Sequence, residues 1–468
     1  MSERIALFGG SFNPPGIHHR LLVGTLASHF DRVLVVPCGP RPDKASTNLI
    51  PPVYRAAMAD MTFGGMDKVE VDLSDLEQNV FTRSYALEER FQSRGEIWHV
   101  VGVDLIKGGA SGQSEIQRSW SKGTELWANS HFVVLTRPGY ELVNQDLPPN
   151  SQVIEVDIPG ASRDIRDMIQ RDEPVDSMLM PRTLAYIQRY GIYRAPTPAT
   201  WARGTLSESP YRLVVDGRNP KAAHWATRFG SSDDPEFVTV IGGDGAMLRS
   251  IREGWRERLP YFGVNAGHLG FLMNEADTVL DNDFPPQDVI FRQLPMLYVE
   301  VETVEGEVTT AYGFNDAWVE RETSQSAWLK VKINDKVRLQ KLVSDGALFA
   351  TAAGSTAYAR AMGATPLLAD TPAWLLVGSN VMEPIDWKSA LLSIDSTVEI
   401  ENLDPVHRPL RAFIDGHDQG LVRTLRARIS RAAAVELVFD TSHDMAEKLA
   451  ALQFRHTGLT APKTSPAS

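Results

Sequence analysis

Cysteine is the scarcest residue of this chain: one in 468 positions, Cys38. That excludes an intrachain disulfide and any metal or iron–sulfur site built from several thiolates, and it fits a reducing compartment. A lone cysteine at the end of an apolar run reads as a small buried residue. Long hydrophobic runs are missing too. No stretch of eighteen apolar residues occurs and the run within MSERIALFGG is too short for a secretory signal, so no membrane span is expected and the cytoplasm is the expected location. Positive charge is in deficit: 47 Lys and Arg against 59 Asp and Glu give −12, with no long basic tract. This argues against a nucleic-acid-binding surface, and anionic ligands would need local basic pockets. No internal repeat relates one half of the chain to the other.

What is present is ordinary globular composition, 43% hydrophobic and 23% charged, over a length suited to two or three domains. Residues 5–8 read as a buried strand, Leu21, Leu22, Thr25, Leu26, His29 and Phe30 follow the spacing of one helix face, and residues 33–37 form a second strand. A strand–helix–strand unit of this length is a parallel crossover, which apolar runs at 98–103, 131–135 and 153–158 would extend. The stretch RAPTPATWARGTLSESP reads as a linker, and a second α/β pattern starts at YRLVV and FVTVIGGDG. From about residue 289 the pattern alternates, as in WLKVKIN, where Leu329, Val331 and Ile333 share a face opposite Lys330, Lys332 and Asn334. The expected organisation is an α/β domain over 1–194, a linker over 195–210, and a second domain over 211–445. That second domain divides into an α/β part to about 288 and an antiparallel β-rich part over 289–440, before a tail over 446–468.

The first chemical signal is LFGGSFNPPGIHHR, a glycine- and proline-rich loop between strand and helix. In parallel α/β folds ligands bind beyond the carboxyl ends of strands, where helix N-termini offer free N–H groups to anions. Gly9 and Gly10 admit a bulky ligand close to the backbone, Pro14 and Pro15 stiffen the turn, and His18 and His19 are expected to face the crevice as donors to phosphate oxygens. A histidine pair near a helix start is also compatible with incidental placement. The segment GGSFNPPGIHH resembles the GxFxPxHxGH-type signature of nucleotidyltransferases, and the nicotinate and nicotinamide mononucleotide adenylyltransferases in particular. PRPDK through YRAAMADM, SYALEERF, VVGVD, RSWSKGTELW, VVLTRPGY, ASRDIR and LAYIQRYGIY resemble further segments of that family in order, so the likeness covers residues 1 to about 193.

The resemblance implies a Rossmann-like nucleotidyltransferase domain that transfers adenylate from ATP to nicotinate or nicotinamide mononucleotide with release of pyrophosphate. It implies that His19 holds phosphate oxygens, Arg166 clamps the leaving pyrophosphate and Ser162 adds donors at its helix start. It implies further nucleotide contacts from Gly9, Gly10, Ser11, Phe12, His18, Lys44, Asp104 and Trp120, with magnesium carried on ATP. Three positions depart from the family pattern: Gly16 replaces the first histidine, Ala86 the threonine of Ser-Tyr-Thr, and Arg163 the threonine of the phosphate motif. The alternative they leave open is a degenerate first domain that only senses nucleotides.

The second signal, VTVIGGDGAMLRSIREGW, is again a strand, a glycine turn and a helix, with Leu248, Ile251 and Trp255 on one helical face. A carboxylate among glycines at such a place, Asp244, suits a residue that takes a proton from an attacking alcohol; it equally suits a helix-capping Asp in a plain turn. GGDGAMLR, YFGVNAGHLGFL, FNDAWVER and SDGALFATAAGSTAYARAMG resemble, in order, four signature segments of the NAD kinases. This likeness extends over 211 to about 440. It implies phosphoryl transfer from ATP to the 2′-hydroxyl of the adenosine ribose of NAD, with Asp244 as base and Gly242, Gly243 and Gly245 admitting phosphate. It also implies binding of NAD by Asn265, Asn315, Asp316, Arg249, Asp345, Ala353, Thr356, Ala357 and Tyr358, and a homo-oligomer formed through this half. Ala352 and Ala353 depart from the family's Thr-Pro-Thr-Gly-Ser, and only one strand–helix step precedes Gly242. The expected whole is a bifunctional enzyme whose two halves make a dinucleotide and then its phosphorylated form, with small-molecule nucleotides as its partners.

Overall fold

The computed structural model describes residues 2–136, 142–195, 197–267, 270–280 and 284–454. It divides into two compact units. The first comprises Met1–Ala202 with the short segments Gly254–Leu259 and Ser430–Ala434; the second comprises Arg203–Glu253, Pro260–Ile429 and the chain from Val435.

Among the described residues of the first unit, apolar runs with charged punctuation give six strands: β1 Arg4–Gly10, β2 Arg32–Pro37, β3 Val69–Val71, β4 Glu96–Gly102, β5 His131–Leu135 and β6 Ser151–Ile154. All pair in parallel in the order β3-β2-β1-β4-β5-β6. The order reverses between β1 and β4, which opens a crevice beyond their carboxyl ends. β3, only three residues long, has too little periodicity to be read from sequence, and the run at 153–158 is shorter and earlier than expected, ending at Ile154. The helix Ile17–His29 buries His18, Val23 and Leu26, whereas Leu21, expected on its inner face, is 54% exposed. Leu26 and Phe30 of the expected face are buried and Leu22 packs against the core, while Leu21 and His29 lie outside the buried stripe.

The division in the chain between Ala202 and Arg203 falls within β7 Trp201–Gly204, a strand in the stretch expected to be linker. In the second unit then come β8 Tyr211–Val215, β9 Phe237–Gly242, β10 Tyr261–Asn265 and β11 Asn274–Glu275, paired in parallel, with Asn219 capping the helix Pro220–Ala226 by accepting from the N–H groups of Lys221 and Ala222. This is the single strand–helix step expected ahead of Gly242. The rest is antiparallel: β12 Val289–Thr303, β13 Val308–Gly313, β14 Asp316–Arg321, β15 Ala327–Ile333, β16 Lys336–Ser344, β17 Gly346–Ala350, β18 Ala373–Ser379, β19 Ala390–Ser393, β20 Thr397–Asn402, β21 Leu410–Ile414 and β22 His417–Asp440. Their main path runs β16-β15-β20-β22-β21-β14-β17-β18-β19. The alternation in WLKVKIN is realised in β15, where Leu329 and Val331 are buried while Lys330 and Lys332 pair with Glu401 and Glu399.

Two features correct the expected layout. The end of β22 returns to the α/β part, with Leu437 and Val438 alongside Tyr261 and Phe262 of β10, so the two parts of this unit share one sheet. Residues Met445–Phe454, expected to lie in a tail, form a helix. No helix among the described residues is long and apolar enough to cross a membrane.

The β-rich core centres on Trp374, whose ring is fully buried against Phe349 and whose indole N–H donates to the Ser393 carbonyl at 2.9 Å. Trp374→Ala removes that ring and one of the hydrogen bonds to the Ser393 carbonyl, which keeps the Ser396 N–H as a donor. It should lower the stability of the unit by about 3–5 kcal/mol, measured by urea denaturation followed by circular dichroism.

Candidate functional site

In the first unit the crevice between β1 and β4 contains a cavity of about 500 Å³. Gly9 and Gly10 of β1, His99 of β4, Arg41, Arg83 and Trp120 are in its wall. Arg41 and Arg83 sit on the Phe81 ring at 5.2 and 5.1 Å from its centroid, which places two guanidinium groups and an aromatic face in one wall. The charge of Arg41 is partly met by Asp43. Gly10 is required by packing: a Cβ there would lie 2.8 Å from the ring of Phe12.

His19 is not among the residues that line this cavity; it accepts a hydrogen bond at Nδ1 from the Gly16 N–H at 3.1 Å. A neutral imidazole that accepts at Nδ1 carries its proton on Nε2, and is a donor there. His18 does not share that position. It is 9% exposed and its ring lies 3.9 Å from that of His19, which corrects the expectation that both histidines face the crevice. The same packing accounts for Gly16. A Cβ there would come within 2.6 Å of His18 Nδ1, so the buried His18 and a side chain at position 16 exclude one another.

Ser162 and Arg166 are brought to this loop by the helix Ser162–Gln170. Ser162 Oγ donates to the Pro14 carbonyl at 2.8 Å, while Arg166 donates to the carbonyls of Asn13 and Ser162. Lys44 is exposed, and partial desolvation, reinforced by the charge of Arg41, pushes its ammonium below the usual lysine range. Asp104 is exposed, and its neighbour Leu105 rather than Asp104 contributes to the cavity wall. Arg137, Pro138 and Gly139, of the expected Arg-Pro-Gly segment, lie outside the described residues.

Sequence reading missed Arg55. Only 1% exposed, it donates to the carbonyls of Ser11, Cys38 and Thr47 and so ties the glycine-rich loop to the end of β2. Burial lowers its affinity for the proton and raises that of the adjoining Cys38 thiol, which is buried as expected. The available signal was an arginine inside the largely apolar helix Pro52–Phe63, where every residue from Tyr54 onward is buried.

In the second unit Asp244 begins the helix Asp244–Gly254 directly after β9. Its two carboxylate oxygens accept from the N–H groups of Phe271 and Leu272, at 2.9 and 3.0 Å. Two of about four lone-pair positions are thereby used. Burial raises its pKa above the usual carboxylate range, against the lowering effect of the two N–H groups and of Lys448. The three glycines differ in role. A Cβ on Gly242 would meet Ala246 at 2.7 Å and Asp216 at 3.1 Å, whereas among the described residues a Cβ on Gly243 would meet nothing within 4 Å and one on Gly245 only the tip of Arg249. Arg249 pairs with Asp216 at 3.3 Å, and Asn265 accepts from the Gly267 N–H. His268 and Leu269, of the same signature segment, lie outside the described residues.

Asn315 and Asp316 are held by a residue the sequence reading did not single out. Asp415 accepts from the N–H groups of Phe314, Asn315 and Asp316 at 2.6, 2.8 and 3.1 Å. The turn Asp415-Gly416 between β21 and β22 has positive φ at both residues, 45° and 81°, the two-residue hairpin geometry that Asp-Gly favours. Thr351 and Gly354 complete the cradle: the Thr351 hydroxyl donates to the Phe314 carbonyl, and a Cβ on Gly354 would lie 2.0 Å from the Asn315 carbonyl oxygen. That close approach brings the Ala353 and Thr356 turn onto the Asn315 loop. Asn315 Oδ1 is buried without a hydrogen-bond partner. Tyr358 packs edge-on against Trp318, and Ala357 is exposed. Asp345 is not part of this group. It lies at the far end of β14, bonded to Arg321 and Asn380.

Burial, with the neighbouring charge of Asp415, pushes the Asp316 carboxyl up to about 7. A raised folded-state pKa means that the folded chain holds the proton more tightly. Its stabilising contribution is complete below the ordinary carboxylate range and is lost as pH rises through about 7. Thermal melts of the ligand-free protein should show a smaller drop in Tm between pH 5 and 8 for Asp316→Asn than for the parent.

Among the described residues no group of three or more His, Cys, Asp and Glu is arranged to hold a metal ion. Two family models match the chain: Cytidylyltransferase-like over residues 7–183 and ATP-NAD kinase N-terminal domain over 207–280. NAD kinase of Mesorhizobium japonicum is 34% identical over 258 residues, covering 54% of this chain and 99% of that protein. NAD kinase of Rickettsia akari is 31% identical over 222 residues, covering 47% and 87%. A crystal structure of yeast NADH kinase complexed with NADH aligns with a TM-score of 0.43 and 14% identity, over 79% of this chain and 90% of that one. The chain belongs to the NAD kinase family and carries, ahead of its kinase half, a cytidylyltransferase-like domain.

Proposed function

We propose that the chain performs two reactions: adenylyl transfer from ATP to nicotinate or nicotinamide mononucleotide in the first unit, and ATP-dependent phosphorylation of NAD at the adenosine 2′-hydroxyl in the second; they are consecutive for nicotinamide mononucleotide, whereas the nicotinate product would need amidation between them. The observation that carries the kinase reading is Asp244, a carboxylate with raised proton affinity at the helix start beyond a parallel strand. In this reading Asp244 takes the proton of the ribose hydroxyl as its oxygen attacks the γ-phosphorus, and the bond to the β–γ bridging oxygen breaks to release ADP. Asn315 Oδ1, buried and unpartnered, is available to a ribose hydroxyl, and Gly243 and Gly245 leave open backbone for phosphate oxygens.

In the first unit no protein nucleophile is needed, because the mononucleotide's phosphate attacks the α-phosphorus of ATP and pyrophosphate leaves. The residues then act by position and charge. His19 donates from Nε2 to a phosphate oxygen, Arg41 and Arg83 offer positive charge in the cavity wall, and Trp120 offers an aromatic face for a base. Magnesium enters on the triphosphate and neutralises part of its charge.

A product profile with ATP, magnesium and each mononucleotide tests the whole scheme. Asp244→Asn should lower NADP formation by about 10²–10⁴-fold while pyrophosphate release continues; His19→Ala should lower pyrophosphate release by about 10²–10³-fold while added NAD is still phosphorylated. Full NADP synthesis by Asp244→Asn would remove that residue from the mechanism. Nucleotide binding to the first unit by calorimetry, without pyrophosphate release, would make that unit a sensor instead.

A further inference from the structure

The helix Met445–Phe454 carries a cation aimed at the loop that holds Asp244. Lys448 Nζ donates to the carbonyls of Gly270 and Met273 at 2.9 and 3.0 Å and pairs with Glu275 at 2.7 Å, its side chain only 11% exposed. The two residues between those carbonyls, Phe271 and Leu272, are the ones whose N–H groups donate to Asp244. One ammonium therefore clamps both ends of a four-residue segment, and the two middle amides orient the carboxylate. The helix is itself fixed, by Asp444 accepting from the Glu447 N–H at its start and by the Met445 sulfur accepting from the Ala369 N–H.

We propose that Lys448 is a positioning residue for phosphoryl transfer: it sets the Phe271–Leu272 amides and, through them, the orientation of Asp244. The inference rests on the reading of Asp244 as the base. Lys448 does not touch the reacting atoms in this account. It acts by geometry, since a peptide segment pinned at both carbonyls cannot swing its intervening N–H groups away, and by charge, since it is the cation that opposes the rise in proton affinity that burial imposes on Asp244. Among the described residues the charged groups facing this spot are Asp244, Glu275 and Lys448, with His443 earlier in the chain, its ring stacked on Phe439 and its ring nitrogens without a hydrogen-bond partner.

The test uses the full chain and compares Lys448→Met, Lys448→Arg and Asp244→Asn in steady-state NADP formation. Lys448→Met should lower kcat by about 10- to 100-fold with KM for NAD and ATP within about twofold, the pattern of an interaction made in the transition state. The acidic limb of its kcat–pH profile should move to higher pH, because the base has lost a cation that favoured its ionised form. Hydrogen exchange at Phe271 and Leu272 should accelerate. Lys448→Arg, which keeps a cation and donors, should restore kcat to within about threefold of the parent.

Parental kcat and pH profile in Lys448→Met overturn the proposal, and so does a loss confined to KM. If Lys448→Met does not fold, Lys448→Arg decides: a tenfold loss of kcat with parental exchange at Phe271 and Leu272 overturns the proposal, and near-parental kcat with parental exchange supports it. Asp244→Asn separates the two readings. Activity surviving in that variant defeats the assignment of the base, whereas an inactive Asp244→Asn beside a fully active Lys448→Met defeats only the inference about Lys448.

Discussion

Buried charge in this chain is stabilised by backbone, and each proposed site hangs on one such arrangement. Arg55 faces the carbonyls of Ser11, Cys38 and Thr47; Asp244 faces the amides of Phe271 and Leu272; Asp415 faces three consecutive amides. A loop with no regular hydrogen-bond ladder has unpaired N–H and C=O groups, and each one buried without a partner costs about 1–3 kcal/mol. A single ion with several donors or acceptors satisfies them together and fixes the loop's shape in doing so. The ion is stabilised in return, since peptide dipoles replace the water lost on burial.

This exchange explains why the loops are positioned before any ligand arrives. Ordering a flexible loop at the moment of binding would subtract from affinity or rate, whereas these segments are already ordered by folding. It also explains the upward displacement of proton affinity at Asp244, Asp316 and Asp415, where burial dominates and the amides offset only part of it at Asp244 and Asp415. Asp316 differs from the other two. Its carboxyl sits beside a second buried carboxyl, and burial together with that neighbour raises its pKa. A group of this kind retains the ability to donate as well as accept near neutrality, which suits recognition of a sugar hydroxyl.

Much of the fold was legible because periodicity reports burial directly. The parallel strands β1, β2, β4 and β5 and the alternating β15 all lie where their apolar residues point. β3 escaped because three residues carry no period, and the return of β22 to the α/β part escaped because a pairing between Leu437 and Tyr261 leaves no local trace. The helix Met445–Phe454 was hidden by the polar, proline-containing segment that follows it. Motif reading located the glycines, Asp244 and the Asn315–Asp316 pair, because their spacing is local. Arg55, Asp415 and Lys448 act on backbone atoms far away in sequence, and nothing in their immediate neighbourhood announces the partner. Asp345 shows the converse: a residue inside a recognisable segment which the length of strand β17 separates from the others.

The hairpin turn at Asp415-Gly416 satisfies two sets of rules at one position. Judged by backbone preference alone, Asn-Gly would fill the same pair of left-handed residues as well as Asp-Gly does. An asparagine there, however, offers one oxygen and an NH₂ group to a concavity lined by three amide hydrogens, so half of its head would oppose the donors it meets. A variant preserved in every strand could therefore lose the shape of the segment at 314–316 through an exchange that turn statistics would score as silent. In this protein the tip of a β-ribbon is also the keystone of a neighbouring bend, and the choice of acid over amide is dictated from across the sheet.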